Sequence, residues 1–84
     1  MNERYFELLD SILAAKSKSE LDAIVSTVRP IINSGANFTE CYASDDCPAA
    51  TVGAAWSRVH DLITVKSYAL MYKEIERICV RDLL

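Results

Sequence analysis

The sequence predicts an all-α fold: a three- to four-helix up-and-down bundle in one domain spanning 1–84, with one irregular loop at about 35–48. Three observations predict it. Glycine and proline number only two each, too few for the tight turns of an all-β chain. The composition leans on good helix formers such as Ala, Leu, Glu and Lys. Apolar residues recur at three- and four-residue spacing along most of the chain. Half of the 84 residues are hydrophobic, which is ample for a core. So small a body has much surface and little interior, however, and some of that apolar surface is expected to meet a partner.

Asn2 is placed to cap a first helix. Tyr5, Phe6, Leu8, Leu9, Ile12, Leu13 and Ala15 form its buried stripe, with Glu3, Glu7 and Asp10 on the other side. Early acids also suit the helix dipole. A second helix begins in KSKSE, either with Ser17 and Glu20 as a capping box or with Ser19 and Asp22. Its stripe, Leu21, Ile24, Val25, Val28, Ile31 and Ile32, is the cleanest amphipathic pattern present. Pro30 interrupts it, because proline removes a backbone donor and disfavours helical geometry at the residue before it. The stripe continues past Pro30, so we read a kinked helix with Gly35 just beyond its end; a stop at Val28 or Arg29 is the alternative.

The segment 35–48, GANFTECYASDDCP, reads as irregular, with a short helical turn around Phe38–Ala43 as a variant. Asp46 or Cys47 then caps a helix with Pro48 in its first turn. Val52, Ala55, Trp56, Val59, Leu62 and Ile63 form one stripe. From Ser67 a second stripe appears: Tyr68, Met71, Tyr72, Ile75, Ile78 and Cys79. The two lie on nearly opposite faces of a helix. Either the chain turns near Thr64–Ser67, or one long helix buries different faces against different neighbours, which would suit a homodimer. No glycine or proline marks a turn there.

Charge narrows the function classes. The formal net charge is −3. Residues 1–54 hold four basic and eight acidic side chains, and residues 55–84 hold five and four. An acidic chain is a poor general binder of nucleic acid, since phosphate contacts supply most of that affinity. The opening MNERYFELLD lacks the basic and apolar regions of a signal peptide, and no apolar run approaches a membrane span. A cytoplasmic protein without membrane contact is expected. Three cysteines, Cys41, Cys47 and Cys79, argue against a disulfide framework.

The chemistry-bearing residues favour binding over catalysis. Cys41, Asp45, Asp46, Cys47 and His60 do not match the closely paired ligands of structural zinc. They read as two loop thiols, a cap and a surface histidine, so no metal and no cofactor are expected. His60 is the sole histidine, and no nucleophile, metalloprotease or phosphate-loop motif accompanies it. The chain therefore reads as a non-enzyme. Lys66, Lys73, Arg77 and Arg81 lie near one helical face and form the best basic feature, diluted by Glu74 and Glu76. Glu3, Glu7 and Asp10, with Tyr42, Asp45 and Asp46 in the loop, form the favoured partner-binding set. Acidic patches steer association, and exposed aromatics such as Tyr42, Tyr68 or Tyr72 are expected to anchor it.

Two segments, ILAAKSKSELDAI (Ile12–Ile24) and AAWSRVHDLI (Ala54–Ile63), resemble helical pieces of small phage and mobile-element proteins. The resemblance implies a phage-type accessory protein that modulates a host system, as anti-CRISPR proteins and other host-takeover inhibitors do. The expected function is thus a small inhibitor that occludes a surface on a larger host protein or complex. The rivals are a nucleic-acid-associated regulator using the basic face, and an immunity protein or antitoxin.

Overall fold

In the computed structural model of the chain, residues 1–83 are described in backbone and residues 1–77 in side chain; Cys79 and Arg81 lie outside the described side chains. Four helices and no strands are present among them: α1 (Glu3–Ala14), α2 (Lys18–Ile32), α3 (Gly35–Tyr42) and α4 (Ala49–Leu83). The all-α bundle read from composition and periodicity is the observed class.

Side chains begin each of the first three helices by accepting an otherwise unpaired backbone N–H. Asn2 accepts from Tyr5 N at 3.3 Å, Ser17 from Glu20 N at 3.2 Å, and Ser34 from Asn37 N at 3.4 Å. The predicted capping box at Ser17 forms with its return arm displaced by one residue. Glu20 Oε2 accepts from Lys16 N at 2.7 Å rather than from Ser17 N. α2 runs through Pro30 to Ile32, so the early stop is not taken.

Three boundaries differ from expectation. The irregular segment predicted over 35–48 is shorter, because Gly35–Tyr42 is helical and only 43–48 stays irregular. Gly35 does not end α2. Asn33 takes that place, Ser34 caps α3, and Gly35 is the first residue of α3; no glycine has a positive φ. Pro48 stands just before α4 rather than inside its first turn, and its carbonyl accepts the first helical bond from Val52 N at 3.1 Å.

The core is one cluster. Tyr5, Leu8, Ile12 and Ala15 come from the α1 side, Leu21 and Ile32 from α2, Phe38 and Tyr42 from α3, and Ala55, Val59 and Leu70 from α4. Phe38 is fully buried and lies edge-on to Tyr5 at 6.4 Å. α1 and α4 run in the same direction: Tyr5 and Phe6 border Thr51–Arg58, and further along Leu13 meets Lys66. α2 runs against both, its end tied to α4 by Trp56 Nε1 donating to Ile32 O at 2.6 Å. Short α3 closes the end of this three-helix body where the chain starts. There Asn2 N donates to Tyr42 O at 2.9 Å, and Asn2 Nδ2 donates to Cys41 O at 2.9 Å.

α4 has 35 residues, which at 1.5 Å per residue is about 52 Å of helix. It sets the 57 Å long dimension of a molecule about 20 Å across. The choice left open at Thr64–Ser67 resolves as one continuous helix. Among the described side chains Leu70 is the last of α4 in the core cluster, and Met71–Arg77 are all exposed.

Candidate functional site

The most distinctive surface lies on α4. Val65, Tyr68, Met71, Tyr72 and Ile75 are exposed, Val65 and Tyr72 to nearly two-thirds of their full surface. Their spacing places them along one face. The helix repeat is about 100° per residue, which puts this face almost opposite the inward one formed by Ala55, Val59, Leu62, Ile63 and Leu70. The two stripes read from the sequence thus belong to one helix with two apolar faces. The bundle covers only the inward face. Together the five outward side chains offer on the order of 500 Å² of largely apolar surface, near the upper range for the biggest patch on a monomer.

The predicted partner-binding residues divide. Glu3, Glu7 and Asp10 are exposed on α1, and Asp45 and Asp46 are exposed in 43–48. Glu3 and the two aspartates share one end of the molecule, since Cys47 sits against Met1 with their sulfurs 3.7 Å apart. Tyr42 does not join them as an exposed anchor. It is buried in the core, tilted against Phe38 with ring centres 5.1 Å apart. Burial raises its phenol pKa above the usual 10.0; a charged Cys41 adds to the rise and Arg4 opposes it.

The basic face is also divided. Lys66 is half-buried and its Nζ donates to Leu13 O at 2.7 Å. It serves the end of α1, whose last turn holds no basic residue of its own. Lys73 and Arg77 are exposed beyond the body, with Glu74 and Glu76 between them. Arg81 lies outside the described side chains.

The remaining candidates form no chemical constellation. Cys41 and Cys47 are free thiols, each half-buried. His60 is exposed and stacks edge-on against Trp56 at 5.2 Å. Among the described residues no group of three or more His, Cys, Asp or Glu side chains is placed to hold a metal ion. A groove of about 560 Å³ lies between α1 and α2 and is bordered by Arg4, Glu7, Ile24, Val28 and Tyr42. It is open to solvent, and Ser11, Thr27 and Cys41 also line it. Among the described residues no helix is long and apolar enough to cross a membrane.

Sequence reasoning found the second stripe but did not rank it as a site. The signal was there: apolar residues at i, i+3, i+4 and i+7 on the face opposite an already sufficient core stripe. Comparison of the chain with protein-family models, with curated proteins and with solved structures finds no match.

Proposed function

We propose that this protein is a non-catalytic protein-binding module whose contact face is the outward side of α4. The exposed stripe Val65, Tyr68, Met71, Tyr72 and Ile75 carries the reading. Water-exposed apolar surface of this extent costs free energy that association recovers. Tyrosine and methionine are also among the side chains enriched at interfaces. A helix presenting anchors at i, i+3, i+4 and i+7 is a recurrent recognition mode.

The role proposed is that of a small modulator acting in the cytoplasm, in the manner of the phage-type inhibitors its helical segments resemble. It occludes a surface on a larger protein complex. Glu3, Asp45 and Asp46 at one end, with Glu7 and Asp10 further along α1, form an acidic surface that steers such encounters.

The test is capture of partners on the tagged chain from nuclease-treated lysate, in parallel with a Tyr68→Lys/Tyr72→Lys variant of unchanged helical circular dichroism. A stoichiometric protein partner, or self-association, that the double variant loses supports the reading. Association indifferent to the double variant, or recovery of nucleic acid alone, overturns it.

A further inference from the structure

Resting on the reading of α4 as a protein-binding face, we propose that its occupant is a second copy of the same chain, which leaves the acidic residues Glu3, Glu7, Asp10, Asp45 and Asp46, and not the stripe, to meet a larger complex. The two α4 helices would pack antiparallel about a twofold axis level with residue 70.

The stripe is chemically symmetric about that position. Val65 and Ile75, both β-branched, stand five residues to either side, and Tyr68 and Tyr72 stand two residues to either side. Met71 lies beside the midpoint. A twofold interface is isologous: whatever one copy presents must be matched by the same residues read in reverse. A stripe that reads alike in both directions meets that demand. The 3-4-3 spacing of these positions is common to helical stripes; what this stripe adds is like residue types at matched positions, Val with Ile and Tyr with Tyr. Antiparallel pairing puts Val65 level with the partner's Ile75, and Tyr68 level with the partner's Tyr72. The members of each pair fall on opposite sides of the seam, so they interleave rather than collide.

Charge agrees. Between Val65 and Ile75 the outward face carries no ionisable group other than the tyrosines. Glu76, at its edge, comes level with the partner's Thr64, and Asp61, one turn before Val65 on the same face, comes level with the partner's position 79. Lys66, Lys73 and Arg77 lie on the other half of the helix, away from the seam.

Area and shape agree as well. The five side chains contribute on the order of 1,000 Å² when both copies are counted, the lower bound for a specific interface. α4 continues to Leu83, so pairing about residue 70 overlaps the helices from 57 to 83, about 40 Å. Each body lies on the inward side of its own α4, turned away from the seam. The two bodies therefore sit at opposite ends of the helix pair without collision.

Sedimentation velocity of the purified chain tests the occupant. The expected result is a concentration-dependent species of twice the 9.4 kDa chain mass. Tyr68→Lys/Tyr72→Lys should weaken it at least about tenfold while helical circular dichroism is unchanged. Orientation is read by disulfide capture in a background with Cys41, Cys47 and Cys79 replaced by serine. Val65→Cys mixed with Ile75→Cys should cross-link, whereas each alone should not. A chain that stays monomeric into the hundreds of micromolar overturns the second copy as occupant. The α4 reading would still stand if a different protein were captured through the stripe. Self-cross-linking of Val65→Cys alone would overturn the antiparallel arrangement.

Discussion

Lys66 Nζ donates to the carbonyl oxygen of Leu13 at 2.7 Å, joining residues 53 positions apart. The carbonyls of the last helical turn lack intrahelical partners and carry the negative end of the dipole, so a cation there satisfies both. Lys66→Met retains the aliphatic stem and removes the donor. The expected cost is about 1 kcal/mol, given the solvent exposure of the bond. In a domain of this size that lowers the melting temperature by about 4–8 °C. Thermal melts followed by circular dichroism check it. An unchanged midpoint would mean that water replaces the lysine at no loss.

Asn2 uses both ends of its amide. Oδ1 caps α1 by accepting from Tyr5 N, and Nδ2 donates to Cys41 O, tying α1 to α3. Two substitutions separate these roles. Asn2→Ser keeps a capping oxygen and loses the bridge, while Asn2→Ala loses both. Urea titration should show Asn2→Ser destabilised by about 1 kcal/mol and Asn2→Ala by about 2 kcal/mol. Equal losses would show that one of the two bonds contributes nothing.

How much of this was legible in the sequence follows from the range of the interactions. The caps at Asn2 and Ser17 are local, and a short window contains them. The two apolar faces of α4 are also local, since helical periodicity alone separates them. α3 was obscured because only Phe38, Cys41 and Tyr42 mark its inward side, and Asn33-Ser34-Gly35 looks equally like a helix end. It is an end and a start together, with Ser34 capping the next helix. Tyr42 read as an exposed anchor because a loop was expected around it. Its burial depends on α3 closing against α1 and α2. Lys66 fell on a plausible basic face, and nothing within a few residues announces that Leu13 claims it.

Pro30 lies inside α2, exposed, and has no N–H for the Ser26 carbonyl. Pro30→Ala restores that donor and removes a steric conflict with the preceding turn. It also frees the unfolded chain, which works in the opposite direction. The restored bond and relieved clash are the larger effects in a helix interior, so a net gain of about 1 kcal/mol is expected. A rise in the urea midpoint at constant slope checks it. A fall would mean that the backbone geometry fixed by Pro30 is needed to seat Ile31 and Ile32.

Tyr42 couples the core to pH. It closes α3 against α1 and α2 at the edge of their groove, and burial, with a smaller push from Cys41, raises its pKa above 10.0 against the pull of Arg4. Above the unfolded value near 10, the unfolded chain releases the Tyr42 proton while the folded chain still holds it. The unfolded state then binds fewer protons, so stability falls as pH rises. Below that value both states are protonated and the group contributes no slope. Urea midpoints should therefore show no Tyr42-dependent slope between neutrality and pH 9 and should decline above about pH 10. Tyr42→Phe keeps the ring against Phe38 and removes the titrating proton. It should flatten the alkaline decline relative to wild type, with the other tyrosines providing the residual slope. Equal declines in the two proteins would show that the Tyr42 hydroxyl reaches water as freely folded as unfolded.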